Sequence, residues 1–188
     1  MNRNIKVACS LSLLIFTSLS HAGDFNYSYL EAGLNHYDND GIDKSMAFKG
    51  AIAVNENIHA FAGVNRTTLK GYGDKISQYK LGLGMHSSIS DSTDLVIEGS
   101  ATRFDNNHSY SSDTGFDISA GIRKKLNNRL EGNLSAHYTS LPSLDLSEAG
   151  MNMGGRFYFN ENISAGLQYH ISDSDSNFLS SSLRLGFL

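Results

Sequence analysis

Between Met46 and Val64 the chain reads MAFKGAIAVNENIHAFAGV, with apolar side chains at every second position on both sides of a polar turn. Met46, Phe48, Gly50, Ile52 and Val54 fall on one face, and Ala47, Lys49, Ala51 and Ala53 fall between them. A period of two is that of a β-strand, whose side chains point alternately to its two faces. Ile58, Ala60, Ala62 and Val64 then alternate with His59, Phe61, Gly63 and Asn65, so a turn at Asn55–Asn57 joins two such strands into a hairpin. The same Asn-Glu-Asn-Ile turn returns in GGRFYFNENISAGLQYH, at Asn160–Ile163. A chain made of such units has to close its sheet on itself or cover one face of it.

The alternation continues through about ten segments, or eight on a stricter count. The first is Asn26–Tyr37. Beyond the opening hairpin come a strand ending at Ile89, then Asp94–Phe104, Thr114–Leu126, Arg129–Leu141, Ser147–Phe159, Ile163–Ile171 and Asn177–Leu188. The connections at Asn55, Ser90, Asn127-Asn128 and Asn160 read as short turns. Those at Asp38–Ile42, Lys70–Asp74, Asp105–Asp113, Leu141–Leu146 and Ser172–Ser176 read as longer and richer in Asp, Ser and Gly, with the single proline, Pro142, in one of them. Short turns at one end and longer loops at the other are the pattern of an outer-membrane barrel.

The first 22 residues do not share this pattern. Arg3 and Lys6 precede the apolar run Val7–Leu19, and Ser20-His21-Ala22 ends in a small residue. This reads as a secretory signal peptide cleaved after Ala22, because the run falls short of the roughly 20 apolar residues a membrane helix needs. Cys9 leaves with it, and residues 23–188 form one domain without thiol or disulfide chemistry. Subtracting Arg3 and Lys6 leaves 13 basic against 19 acidic side chains, a formal charge of −6, which speaks against nucleic acid as a partner.

The inward or outward direction of the polar face decides the class of barrel. Its mid-strand charges are Glu31, Lys49, Lys80, Glu98, Asp117, Arg123, Glu131, Arg156 and Arg184, four acids against five bases. A paired network of this kind fits a closed lumen, and the opposite face of Leu, Ile, Val, Ala, Phe and Tyr fits lipid. The expected fold is therefore an all-β, closed, antiparallel up-and-down transmembrane barrel. A soluble periplasmic lipocalin-like barrel, greasy inside and polar outside, is the alternative. Tyr37, Tyr79, Tyr138, Phe157, Phe159, Tyr169, Phe178 and Phe187 lie near strand ends or on the apolar face, where aromatic girdles sit. The last strand ends LSSSLRLGFL, an amphipathic close of the kind the outer-membrane assembly machinery recognises, with Leu188 one residue past the final aromatic.

YSYLEAGL (Tyr27–Leu34), FKGAIAVNENIHAFAGV (Phe48–Val64), STDLVIEGSATRFD (Ser92–Asp105) and FDISAGIRKKLNNRLEGNLSAHY (Phe116–Tyr138) resemble the small outer-membrane β-barrel proteins known as Ax-type or diffusible-signal-factor-like. The resemblance covers nearly the whole domain and implies the barrel fold. It brings no catalytic motif and no cofactor.

Of the chemistry such a barrel could carry, alternation turns His59, His86, His137 and His170 inward. His137 with Ser135 and Glu131 is the best catalytic candidate, but residues two and six apart on a strand are about 7 and 20 Å apart, so only Ser135 is within direct reach of His137. Asp38-Asn39-Asp40-Gly41 and Asp173-Ser174-Asp175 offer half of a calcium loop without the distal Glu and read as solvated loop acids. No residue is assigned a catalytic, cofactor-binding or metal role. A two-residue turn at Asn127-Asn128 would put residue 132 opposite Arg123 and Glu131 on the diagonal, within reach of a guanidinium. The expected function is that of a monomeric outer-membrane protein in contact with lipid and lipopolysaccharide, with a structural or surface-interaction role and a nearly plugged lumen. A narrow pore is the alternative, and a lipid-modifying enzyme a more distant one.

Overall fold

The computed structural model describes residues 25–38, 41–71, 74–106, 111–174 and 177–187. Residues 1–22, read above as a signal peptide and including Cys9, lie outside the described residues, as do the acids Asp40 and Asp175 and the terminal Leu188. Ten strands follow one another: β1 (Tyr29–Tyr37), β2 (Ile42–Ala53), β3 (Ile58–Leu69), β4 (Lys75–Ser90), β5 (Thr93–Asn106), β6 (Ser111–Asn127), β7 (Leu130–Leu141), β8 (Leu146–Tyr158), β9 (Ile163–Ser172) and β10 (Phe178–Gly186). Each pairs antiparallel with its sequence neighbours, and β10 pairs with β1 from Tyr29↔Gly186 to Tyr37↔Phe178, closing the barrel. Closure leaves no row of backbone donors and acceptors unpaired at a sheet edge, which is how an alternating chain without covering helices satisfies its backbone.

The two Asn-Glu-Asn-Ile turns are built alike. Asn55 Oδ1 accepts the backbone N–H groups of Asn57 and Ile58, at 2.9 and 2.8 Å, and Asn160 Oδ1 accepts those of Asn162 and Ile163 at the same distances. The amide side chain substitutes for a missing ladder partner, the usual reason for asparagine in tight turns. The turn after β6 is Asn128–Arg129, one residue later than the sequence pattern indicates. A bulge between Lys125 and Asn127 absorbs Leu126, so Arg123 stands opposite Asn133 rather than residue 132.

The two ends differ less than the sequence suggests. At the end where residues 25–28 and 187 lie, hereafter the terminal end, the connections have two or four residues; at the far end they have four or five. β5 and β6 run on to Asn106 and from Ser111, so most of Asp105–Asp113 is strand. Asp113 is buried, and its carboxylate accepts the backbone N–H of Thr114 and of Leu144. Leu144 lies in a three-residue 3-10 turn, Pro142–Leu144, where the proline's missing N–H costs no ladder bond.

The apolar face points outward. Leu30, Phe48, Leu81, Leu83, Ile97, Ile118, Leu167 and Leu183 all stand exposed on the outer surface, Leu81 at 69%. The polar face lines the bore, the reverse of a soluble lipocalin-like barrel. Of the aromatic residues near strand ends, Tyr79, Tyr138, Phe157 and Phe159 are on the outer surface, whereas Tyr37 and Phe178 turn inward and pack on each other, centroids 4.8 Å apart. The apolar interior is correspondingly small, a cluster of Tyr29, Ala51 and Phe61 near the terminal end.

Candidate functional site

The site is the bore itself, a cavity of about 790 Å³ bounded by Tyr27 and Tyr29 at the terminal end and by Glu148, His170 and Ser174 at the far end. Its walls are side chains from all ten strands, delivered inward by alternation. Bulky groups fit because glycines face them across the ladder: a Cβ on Gly84 would run into the ring of His59, and one on Gly150 into the ring of His137.

The nine charges on the polar face gather into four clusters. Lys49 donates to both carboxylate oxygens of Glu98, at 3.0 Å each, and His59 Nε2 lies 3.0 Å from the same carboxylate. Lys80 donates to Asp117 at 2.9 Å, with Thr139 adding a second donor at 2.6 Å. Arg123 grips Glu131 with two parallel bonds of 2.8 and 2.9 Å, and the Tyr158 hydroxyl donates to the same carboxylate at 2.6 Å. Arg156 and Arg184 converge on Glu31, so the extra base is accommodated by two guanidiniums sharing one acid. Bidentate and charge-assisted bonds of this type offset the cost of removing ions from water, which an unpaired lumen charge would bear in full. Cations also lie over rings: Lys49 over Phe61 at 4.5 Å and Arg184 over Tyr29 at 3.7 Å.

Residues 25–28 do not begin β1, as the alternation of Asn26–Tyr37 implies; they fold into the terminal end of the bore. Phe25, Tyr27 and Ser28 are buried there. The Tyr27 ring stacks on His86, its hydroxyl donates to Asp94 at 2.8 Å, and Arg123 lies over both Phe25 and Tyr27 at 4.7 and 4.8 Å. Asp94 is fully buried and also accepts from Ser88, at 2.8 Å. Together these side chains floor the cavity. In the sequence, Phe25 and Tyr27 carry the same every-other-residue signal as strand residues, so nothing local marks them as a plug.

At the far end His137 meets neither Glu131 nor Ser135. The side-chain amide of Asn152 stands between, 3.5 Å from Ser135 Oγ and 3.4 Å from His137 Nδ1. The acid beside His137 is Glu148, which also faces His170. Glu148 is not among the nine charges singled out from the sequence because those are mid-strand residues and it lies at the start of its strand, read as Ser147–Phe159. The ring column Tyr37, Phe178, His170, His137 crosses this mouth with successive centroid separations of 4.8, 4.4 and 4.8 Å. The loop acid Asp173 accepts the backbone N–H of Ala149 at 3.1 Å and so caps the β8–β9 edge.

A closed ten-stranded antiparallel barrel with an apolar exterior and a charge-lined bore is the architecture of bacterial outer-membrane barrels. Among solved structures, the chain is similar in fold to the NanC porin (TM-score 0.54, 8% identity, 85% of this chain and 99% of that one) and to the KdgM porin in complex with disordered oligogalacturonate (TM-score 0.53, 8% identity, 85% and 99%). No protein-family model matches the chain, and neither does any curated protein.

Proposed function

We propose that the chain is an integral protein of the bacterial outer membrane that serves a structural or surface-interaction role, its bore closed at the terminal end and open as a cup at the far end. The observation that carries this reading is the Phe25–Ser28 segment folded into the bore beneath Arg123, His86 and Asp94. The apolar outer wall supports the membrane setting: exposed Leu, Ile, Phe and Met side chains on neighbouring strands form a far larger greasy surface than a water-facing monomer tolerates. Lipid and lipopolysaccharide contact that wall. The amphipathic β10, with Leu183 and Leu185 outward, is the segment the assembly machinery would read. The pairing of β1 with β10 supports a monomer, because closure leaves no sheet edge for a second copy to extend. The terminal end, with its shorter turns, faces the periplasm, and the cup faces outward.

A narrow pore is the second reading, favoured by the size of the cavity and by the porins that share the fold. Conductance across planar bilayers separates the two. Closed barrels give small, rare openings, and deletion of residues 25–28 raises the current. Large steady currents from the intact barrel would establish the pore. An unchanged lipid A mass profile in a deletion strain is the outcome expected of a structural or surface-interaction protein.

A further inference from the structure

At the far-end mouth His137 on β7, Glu148 on β8 and His170 on β9 aim three ligand atoms at one point. Glu148 Oε1 lies 3.5 Å from His137 Nε2 and 3.4 Å from His170 Nε2, and the three ligand atoms lie within 4.8 Å of one another. We propose that these side chains bind a divalent first-row transition ion, Zn²⁺ by the nature of the donors, with a fourth position open to water in the cup.

The first argument is orientation. Asn152 Oδ1 accepts from His170 Nδ1 at 2.8 Å, which fixes the ring and turns its Nε2 towards Glu148. That nitrogen stands 3.4 Å from a carboxylate oxygen. Nitrogen and oxygen ligand atoms from neighbouring strands thus converge from a ring already held in place. The second argument is His137. Its side chain is 8% exposed, and its Nε2, 3.5 Å from Glu148, is a buried nitrogen without a hydrogen-bond partner among the described residues. A proton shared by His170 and Glu148 leaves that nitrogen unsatisfied; an ion in the centre takes all three ligands.

The dimensions fit. Bonds of about 2.1 Å in a tetrahedral site put ligand atoms roughly 3.4 Å apart, so the two edges at Glu148 already have the separation needed and only the widest must close. Binding also moves the His137 ring proton to Nδ1, where its long 3.4 Å contact with the Asn152 amide nitrogen is exchanged for water. The supporting groups are those metal sites use: Asn152 orients His170, and Ser174 Oγ donates to the second carboxylate oxygen of Glu148 at 2.8 Å. Phe178 stacks on His170, and Gly150 leaves the space that the His137 ring occupies. Two imidazoles and one carboxylate suit Zn²⁺, with Cu²⁺ and Ni²⁺ as competitors, and exclude a preference for Mg²⁺ or Ca²⁺.

The test is calorimetric titration of the purified barrel in detergent micelles with Zn²⁺ at neutral pH, followed by Co²⁺ and its visible spectrum. One ion per barrel is expected, with the intense visible bands of four-coordinate Co²⁺. His170→Ala and Glu148→Gln should each weaken binding about tenfold or more, and Asn152→Ala should weaken it by less. His137→Gln keeps the ring's volume and serves where an alanine fails to fold, folding being read from heat-modifiable migration on gels. His36→Ala, an exposed histidine on β1, should leave the affinity unchanged. Absence of saturable Zn²⁺ binding, or binding that survives the His170 and Glu148 substitutions, overturns the proposal and leaves the cluster as a protonated histidine–carboxylate group.

Discussion

Tyr27 lies flat on His86, with ring centroids 3.5 Å apart and planes 10° from parallel, and its hydroxyl donates to the fully buried Asp94 at 2.8 Å. A residue from outside the barrel wall thereby supplies a donor to a carboxylate inside it. Replacing Tyr27 by Phe keeps the stack and leaves Asp94 with Ser88 as its side-chain donor. Losing one partner of a buried charged acceptor costs about 1–3 kcal/mol. Urea unfolding in lipid vesicles, followed by circular dichroism, should show that loss. A Tyr27→Phe barrel as stable as the parent would mean that water takes the hydroxyl's place.

Removing Glu131 should be more damaging. Arg123 and Glu131 are both nearly buried and joined by two bonds, and Tyr158 adds a third contact. Deleting one member of such a pair costs about 3–5 kcal/mol, because the other charge remains without compensation. Glu131→Ala should therefore lower the unfolding midpoint well below that of Glu161→Ala, which alters an exposed residue in the β8–β9 turn. Equal midpoints for the two variants would remove the lumen network from the account of stability.

The outer wall can be tested at Leu134, which is exposed on β7 between the inward-facing Asn133 and Ser135. Leu134→Arg places a charge in hydrocarbon at a cost of about 2–4 kcal/mol near the bilayer midplane. Folding into vesicles should be impaired, while folding of Leu134→Met should be close to normal. Unimpaired folding of Leu134→Arg would place Leu134 outside the hydrocarbon.

The Asn55 and Asn160 turns should respond alike. Asn160→Ala removes an oxygen that accepts two backbone N–H groups, and Asn160→Asp retains it. The alanine variant should lower the unfolding midpoint by less than Glu131→Ala does, because water can reach these exposed N–H groups. The aspartate variant should be nearly silent. Faster hydrogen exchange at Asn162 and Ile163 in the alanine variant alone would locate the effect.

Much of the barrel was legible because its rules are local. Alternation in Met46–Val64 and Thr114–Leu126 determined which side chains share a face, and the polar turns determined where the chain reverses. That Lys49, Glu98 and Arg123 share one face follows from that alone, whereas the inward direction of that face is seen in the closed barrel. Positions at strand ends were less legible. Glu148 sits at the start of a strand, outside the mid-strand positions that define the network, Asp113 sits where strand and loop have the same composition, and Leu126 could be recognised as a bulge only from the pairing around it.

What the sequence by itself determined, then, is the period, the two faces and the turns, because each depends on backbone geometry within a few residues. Only the tertiary structure decided which charge meets which. Lys49 finds Glu98 49 residues away, and Arg184 finds Glu31 across 153. Those contacts depend on closure of β1 against β10 and on the stagger of every ladder between them, and no local pattern encodes that sum. The same closure made a bore that Phe25 and Tyr27 could enter and brought His137, Glu148 and His170 from three strands to one mouth.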